Sequence, residues 1–382
     1  MPPVQDQNPA ARITAYLQCT NLGGMEQVAY TLFERLQARG FRVKILTARV
    51  WGPGRSRVLG IDPEARDSNY RGKFGWRSFP AFRRHARTAG RPGERVWVIG
   101  NCASCLAAAR LAGQKVMFSH HYHHFESRTS WLRWLGFYLA FGAGLEVITY
   151  PTEFTRNEAL KIAPWLKGKA RVVRNGFDLH YTTEEKRLAD QRAARAELQM
   201  PQAGLLIGNG GWLIPRKRFD IFLRTAQRVA RERPDARFYI CGGGPEEKNL
   251  RQLAGELGIA DKVHFQGWVQ NMAPYYRAWD VLLFNSDFDT SPCTPLEAAS
   301  HGCLCVASLR YGGLAEFIQH GRTGFLLEEH DLEGLAGFIR QLAQEPDLAL
   351  NLRRQAAELL AREFSHEKAL AFYENYFRTG RV

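Results

Sequence analysis

Long apolar runs are missing from this sequence of 382 residues. The most apolar segment, WLRWLGFYLAFGAGLEVITY, carries Arg133 near its start and Glu146 inside it. The clean apolar stretch between them falls short of the roughly 20 residues that a membrane-crossing helix needs. It reads instead as a buried or interfacial helix leading into a strand. The opening MPPVQDQNPAAR is polar and Pro-rich, which predicts no secretory leader. Cysteine is sparse and odd in number: seven, at positions 19, 102, 105, 241, 293, 303 and 305. Such a scattered set excludes a disulfide framework and predicts reduced thiols in a cytoplasmic setting. Cys102 and Cys105 have a zinc-like spacing, but no matching second pair follows. The dinucleotide fingerprint is missing too, since neither GGMEQV nor CGGGPE spells G-x-G-x-x-G.

What is present suits a globular chain with large cores: the hydrophobic fraction is 45%, with 23 Phe. The length exceeds one typical core and predicts two domains. An excess of 52 Lys and Arg over 38 Asp and Glu gives a net charge of +14, so the surface attracts anions. Short apolar runs alternate with helix-length amphipathic runs through both halves. Strands are predicted at 13–17, 43–47, 96–99, 116–118, 147–149 and 172–173. Between the first two, MEQVAYTLFERLQARG sets Val28, Ala29, Leu32, Phe33 and Leu36 on one helical face and stops at Gly40, which makes a βαβ unit. After a charged, helix-prone connector at 181–199 the pattern restarts, with strands at 205–208, 238–241, 263–265, 281–284, 304–307 and 325–327. The expectation is an α/β protein of two Rossmann-like, doubly wound parallel-sheet domains facing a cleft, with ligands at the carboxyl ends of the strands. Residues 1–180 form the first domain and 200–363 the second; the C-terminal helix at 364–382 is expected to pack back on the first.

The strand ends hold the candidate site residues. After the first strand, QCTNLGGMEQ offers Gly23 and Gly24, a turn that lets a helix start approach an anion. After the fourth strand, FSHHYHHFES holds four of the eleven His. No carboxylate or Cys nearby completes a ligand set, and His120, second past the strand, is expected to project into the cleft. After the first strand of the second half, GNGGWLIPRKRFD puts Arg216, Lys217 and Arg218 at a helix start, where cation and helix dipole act on one anion. YICGGGPEE, with Gly243, repeats the idea. In NSDFDTSPCTPLEAASHG, Asp289 is read as a residue of the loop beyond the strand, Thr294 as the cap of the next helix and Pro295 as its first residue. Amides such as that of Leu296 would face a phosphate while Glu297 accepts hydrogen bonds from sugar hydroxyls. Two acceptor carboxylates beside an amide nest suit a nucleotide sugar.

Over nearly its whole length the sequence resembles the retaining glycosyltransferases of family 4, which have the GT-B fold. The resemblance runs through GGMEQVAYTLFERLQARGFRVKIL, VVRNGFD, PRKRFD, ICGGGPE, VHFQGWV, SDFDTSPCTPLEAASHG and GGLAEFIQHGRTGFLL, in order and spacing. It implies that Glu297 contacts the nucleotide ribose, that Asp289 stands where a Glu would contact the sugar, and that Lys217 binds the diphosphate. It also implies that His120, or else His121, lies near the sugar. Where the family has an arginine this chain has Gly211 or Trp212, so either Arg216 substitutes or one phosphate contact is lost.

The implied activity is anomer-retaining transfer of a hexose-type sugar from a nucleotide-sugar donor to a hydroxyl of a glycan or lipid-linked acceptor, as in lipopolysaccharide or other cell-envelope glycan synthesis. No cofactor and no metal is implied, because Lys217 and backbone dipoles neutralise the leaving group. RDSNYRGKFGWRSFPAFRRHARTAGR interleaves Arg and Lys with Phe74, Trp76, Phe79 and Phe82 and predicts peripheral binding to an anionic membrane surface, on the inner face of the cytoplasmic membrane. Three other readings fit parts of the sequence. They are a GT-B phosphorylase or epimerase, a catalytically silent sugar- or nucleotide-binding module, and a nucleic-acid-binding protein, the last leaving Asp289 and Glu297 without a role.

Overall fold

The computed structural model describes residues 11–17, 24–47, 54–67, 79–89, 91–100, 103–121, 128–327 and 330–382. The chain divides into two compact units, Met1–Gly176 with His366–Val382, and Phe177–Ser365.

In the first unit the strands are β1 (Arg12–Leu17), β2 (Arg42–Thr47), β3 (Arg66–Asp67), β4 (Arg95–Ile99), β5 (Lys115–Ser119), β6 (Leu145–Tyr150) and β7 (Ala170–Val172). They lie in the order β3-β2-β1-β4-β5-β6-β7, every neighbouring pair parallel. Both faces are covered by helices, so every residue of β1 after Arg12 is buried. The helix Gly24–Ala38 buries Ala29, Leu32, Phe33 and Leu36 on the face its periodicity predicts. Gly40, at φ 83°, ends the turn in the left-handed region. The C-terminal helix His366–Thr379 belongs to this unit. Tyr373 stacks on Trp97 at 4.2 Å between centroids, and the Tyr376 hydroxyl donates to Glu146 at 2.9 Å.

The second unit holds β8 (Leu206–Gly210), β9 (Arg237–Cys241), β10 (Val263–Gly267), β11 (Val281–Asp289), β12 (Leu304–Gly312) and β13 (Phe325–Leu327). Their order is β10-β9-β8-β11-β12-β13, again all parallel. The order reverses between β8 and β11, and a doubly wound sheet opens its ligand crevice at such a point.

Two expectations need correction here. The stretch 181–199 is not a free connector: Glu184–Glu197 is a helix of the second unit, capped by Thr183. Its Arg195 is buried because the guanidinium donates to Ala278 O at 2.9 Å and to Asp280 at 2.8 Å, so the helix-prone stretch packs into the second unit rather than linking the two. The central strands are also longer than their apolar runs. β11 and β12 stay paired through Asn285 with Ser308 and Phe288 with Tyr311 to Asp289 with Gly312. Polar residues are tolerated inside this ladder because they bond each other, as Asn285 Nδ2 does to Ser308 Oγ at 2.8 Å.

Candidate active site

The site begins where β8 ends. Gly211 N bonds Cys241 O at 2.9 Å, Leu213 N bonds Gly243 O at 3.0 Å and Gly242 N bonds Gly267 O. These bonds stitch the turns after β8, β9 and β10 into one layer. Gly242 sits at φ 149°, and a Cβ there would lie 1.8 Å from Gly211 O. Its absence of a side chain is therefore set by loop against loop, whereas Gly243 faces open space. Trp212 and Trp268, both about half exposed, meet edge to face at 6.1 Å on the outside of this layer.

The next turn carries the three cations. Pro215–Lys217 is a short 3-10 turn, and Arg218, at φ 45°, lies in the left-handed region before the helix Phe219–Glu232. That reversal lays the turn along the end of β11, whose last three residues each take one cation. Arg218 Nη1 donates to Asp287 Oδ1 at 3.1 Å, Arg216 Nη1 to Phe288 O at 2.5 Å, and Lys217 Nζ to Asp289 Oδ2 at 2.5 Å. Lys217 also sits 5.1 Å from the centroid of the Phe284 ring. Its side chain is 19% exposed and that of Asp289 15%, so the pair is mostly withdrawn from water.

Asp289 is thus the last residue of a strand rather than a member of a free loop. The following helix, Cys293–Ser300, is capped by Pro292, so it starts before the expected Thr294 cap. Thr294 and Pro295 both lie in its first turn, where a missing N–H costs nothing, and the Thr294 hydroxyl reaches Gly210 O at 3.4 Å. Leu296 is buried. Glu297, half-buried, accepts from the Tyr276 hydroxyl at 2.8 Å. Burial raises the Glu297 carboxyl above its ordinary range, and the Tyr276 bond opposes that rise without cancelling it.

The structure therefore gathers Arg216, Lys217, Asp289, Thr294, Pro295, Leu296 and Glu297 around the ends of β8 and β11. Sequence reasoning missed Tyr276, which holds Glu297, and the support behind Asp287. His330 Nε2 lies 3.1 Å from Asp287 Oδ1, and His330 Nδ1 lies 2.6 Å from Ser308 Oγ. No local signal joins residues 43 positions apart in the chain.

In the first unit His120 does not project outward. It is fully buried, with Nδ1 2.9 Å from the Tyr138 hydroxyl and its ring 4.5 Å from that of Trp134. Its neighbour His121 is half-buried, and desolvation lowers it to about 4, so the imidazole is neutral at physiological pH. Gly24 opens the helix Gly24–Ala38 and is exposed; Gly23 lies outside the described residues. Cys102 lies outside them too, and among the described residues no group of three metal-ligating side chains comes together.

Two doubly wound parallel sheets in series make this a GT-B protein. Anabaena HepE, solved in complex with UDP and glucose, shares that fold with a TM-score of 0.79 at 18% identity, over 96% of this chain and 99% of its own. Residues 22–181 match the model of Glycosyltransferase Family 4, and residues 204–345 that of Glycosyl transferases group 1. The chain belongs to the family 4 glycosyltransferases. Among curated relatives, a D-inositol 3-phosphate glycosyltransferase of Streptomyces avermitilis is 35% identical over 203 residues, 50% of this chain and 43% of its own length. The lipopolysaccharide core biosynthesis glycosyltransferase LpsE of Rhizobium meliloti is 30% identical over 173 residues, 45% of this chain and 49% of its own. The chain thus spans less than half the length of these relatives.

Proposed function

We propose that the protein is an anomer-retaining glycosyltransferase that moves a hexose-type sugar from a nucleotide-sugar donor to a hydroxyl of a glycan or lipid-linked acceptor. The observation that carries this reading is the convergence, at the β8–β11 switch point, of Lys217, Asp289, Glu297 and the start of the helix Cys293–Ser300. One nucleotide sugar satisfies all of them: phosphate on Lys217 and the helix start, ribose on Glu297, sugar on Asp289. HepE, a fold neighbour, has been solved with UDP-glucose as well, and LpsE, in name a lipopolysaccharide core enzyme, supports a cell-envelope glycan as acceptor. The first unit is assigned to the acceptor, with the half-buried, neutral His121 in place of the fully buried His120 as its candidate polar group.

In the reaction the bond between the anomeric carbon and the diphosphate oxygen breaks as the acceptor oxygen bonds that carbon from the same face. The acceptor proton passes to the departing phosphate. Lys217 stabilises the charge that develops on the diphosphate, the largest kind of term in such chemistry. No cofactor or metal enters this scheme, and no carboxylate serves as nucleophile, in contrast to retaining glycosidases. A panel of UDP, GDP and ADP sugars offered with a glycan acceptor, with a CMP sugar as the monophosphate control, tests the proposal. Release of one nucleoside diphosphate with retention of the donor's anomeric configuration by NMR is expected; inversion, or no turnover with any donor, would overturn it.

The basic excess is assigned to an anionic membrane surface carrying the acceptor. The helix Phe79–Ala89 buries Phe82 and Ala86 in the first unit's core and exposes Arg83, Arg84 and Arg87. Those arginines line a hollow of about 400 Å³ with Phe79 and Pro80. Phe82 is therefore a core residue rather than a surface aromatic, and Phe74 and Trp76 lie outside the described residues. No described helix is long and apolar enough to cross a membrane. Each basic residue at an anionic surface is worth about 1 kcal/mol. Arg83→Glu with Arg84→Glu is thus expected to release the protein from phosphatidylserine vesicles while donor hydrolysis in solution continues. Binding that survives both changes and high salt would shift the contact to the exposed Leu132 and Leu139 of the helix Arg128–Phe141.

A further inference from the structure

The residue assigned to the diphosphate is already neutralised by the residue assigned to the sugar. Lys217 Nζ lies 2.5 Å from Asp289 Oδ2. The flanking cations are spoken for in the same way, Arg218 by Asp287 and Asp220 and Arg216 by the carbonyl of Phe288. A ligand that brings only phosphate must therefore draw Lys217 away and leave a carboxylate, only 15% exposed, without its cation. Stripping one partner from a largely buried pair is costly, because the charge left behind is neither paired nor fully hydrated. A nucleotide sugar avoids that penalty. Its phosphate takes Lys217 while its sugar hydroxyls donate to the freed Asp289.

We propose that the Lys217–Asp289 ion pair is a specificity latch that opens fully only to a ligand satisfying both halves, and so favours the intact donor over the spent diphosphate. The inference rests on the glycosyltransferase reading above, and it adds a consequence for turnover. Once the sugar has left for the acceptor, Asp289 has lost its hydroxyl donors and recaptures Lys217, which displaces the nucleoside diphosphate. Asp289 is then a binding residue with two alternating partners, and a neutral isostere at this position removes the discrimination as well as the sugar contact.

Inorganic pyrophosphate, which has neither base nor sugar, is the probe. It is titrated calorimetrically into the full-length wild-type protein, Asp289→Asn, Lys217→Gln and the double variant, each checked by thermal melting. Asp289→Asn is expected to bind pyrophosphate at least about tenfold more tightly than wild type, and the double variant to lose that gain. Equal or weaker binding by Asp289→Asn, with Lys217→Gln weaker than wild type, overturns the latch and leaves Lys217 as the phosphate ligand. Wild-type affinity in Lys217→Gln removes both the latch and that phosphate assignment, as does absence of binding in all four proteins. Should Asp289→Asn melt early, Asp289→Ser is measured in its place, with the same two outcomes.

Discussion

Lys217→Ala is expected to lower turnover of the nucleotide-sugar donor at least about a hundredfold, the scale found when one donor to a developing oxyanion is removed. The lysine follows a Gly turn, lies at the switch point, and of the three cations on its turn is the one facing the carboxylate assigned to the sugar. Arg216 is anchored on Phe288 O and Arg218 on Asp220 and Asp287, so neither is free to replace it without giving up its own partner. Those same anchors keep the turn on β11 when the lysine is shortened, and no residue of Pro215–Lys217 is buried. The variant should therefore keep its fold, melting below wild type by what the unpaired Asp289 carboxylate costs. Turnover is read as nucleoside diphosphate released per enzyme at saturating donor. Near-normal turnover in a folded variant would move the phosphate contact to Arg216 or Arg218.

The parts of this fold that were legible in the sequence are those where local chemistry agrees with tertiary placement. The helix Gly24–Ala38 shows its buried face in its periodicity, and the cations follow a Gly turn that can serve only a strand end. Glu297 stands one turn into a helix whose Pro-rich start is itself a signal. Legibility failed where a polar residue finds its partner far along the chain. Asn285 and Ser308 bond each other across β11 and β12, so the strand runs on where its apolar run stops. Arg195 is buried by Asp280, which packs the helix-prone connector into the second unit. His120 lies among Trp134, Tyr138 and Tyr150. A histidine cluster after a strand does not say which ring turns inward.

Glu297 offers the second large effect. Glu297→Gln keeps an acceptor for the Tyr276 hydroxyl but removes the charge offered to the ribose, a hydrogen bond worth about 1.5–3 kcal/mol when one partner is ionised. Affinity for the free nucleoside diphosphate should fall roughly ten- to a hundredfold. Folding stability should move the other way. Burial holds the Glu297 carboxyl above its ordinary range, so between its unfolded and folded values the folded state binds the extra proton and stability declines as pH rises. Above that window the full cost of the raised value remains, and a neutral isostere should melt at the same temperature or higher. A variant that loses ligand without losing stability has lost a binding group rather than a structural one.

The central claim is that one nucleotide sugar lies between Lys217 and Glu297 at the ends of β8 and β11. Its most direct test is calorimetric titration of the nucleoside diphosphate selected by the donor panel into wild type and Glu297→Gln, side by side at neutral pH. The account predicts clear binding to wild type and at least about tenfold weaker binding to a variant of undiminished melting temperature. Equal affinity for the two proteins would contradict it and place the ribose elsewhere.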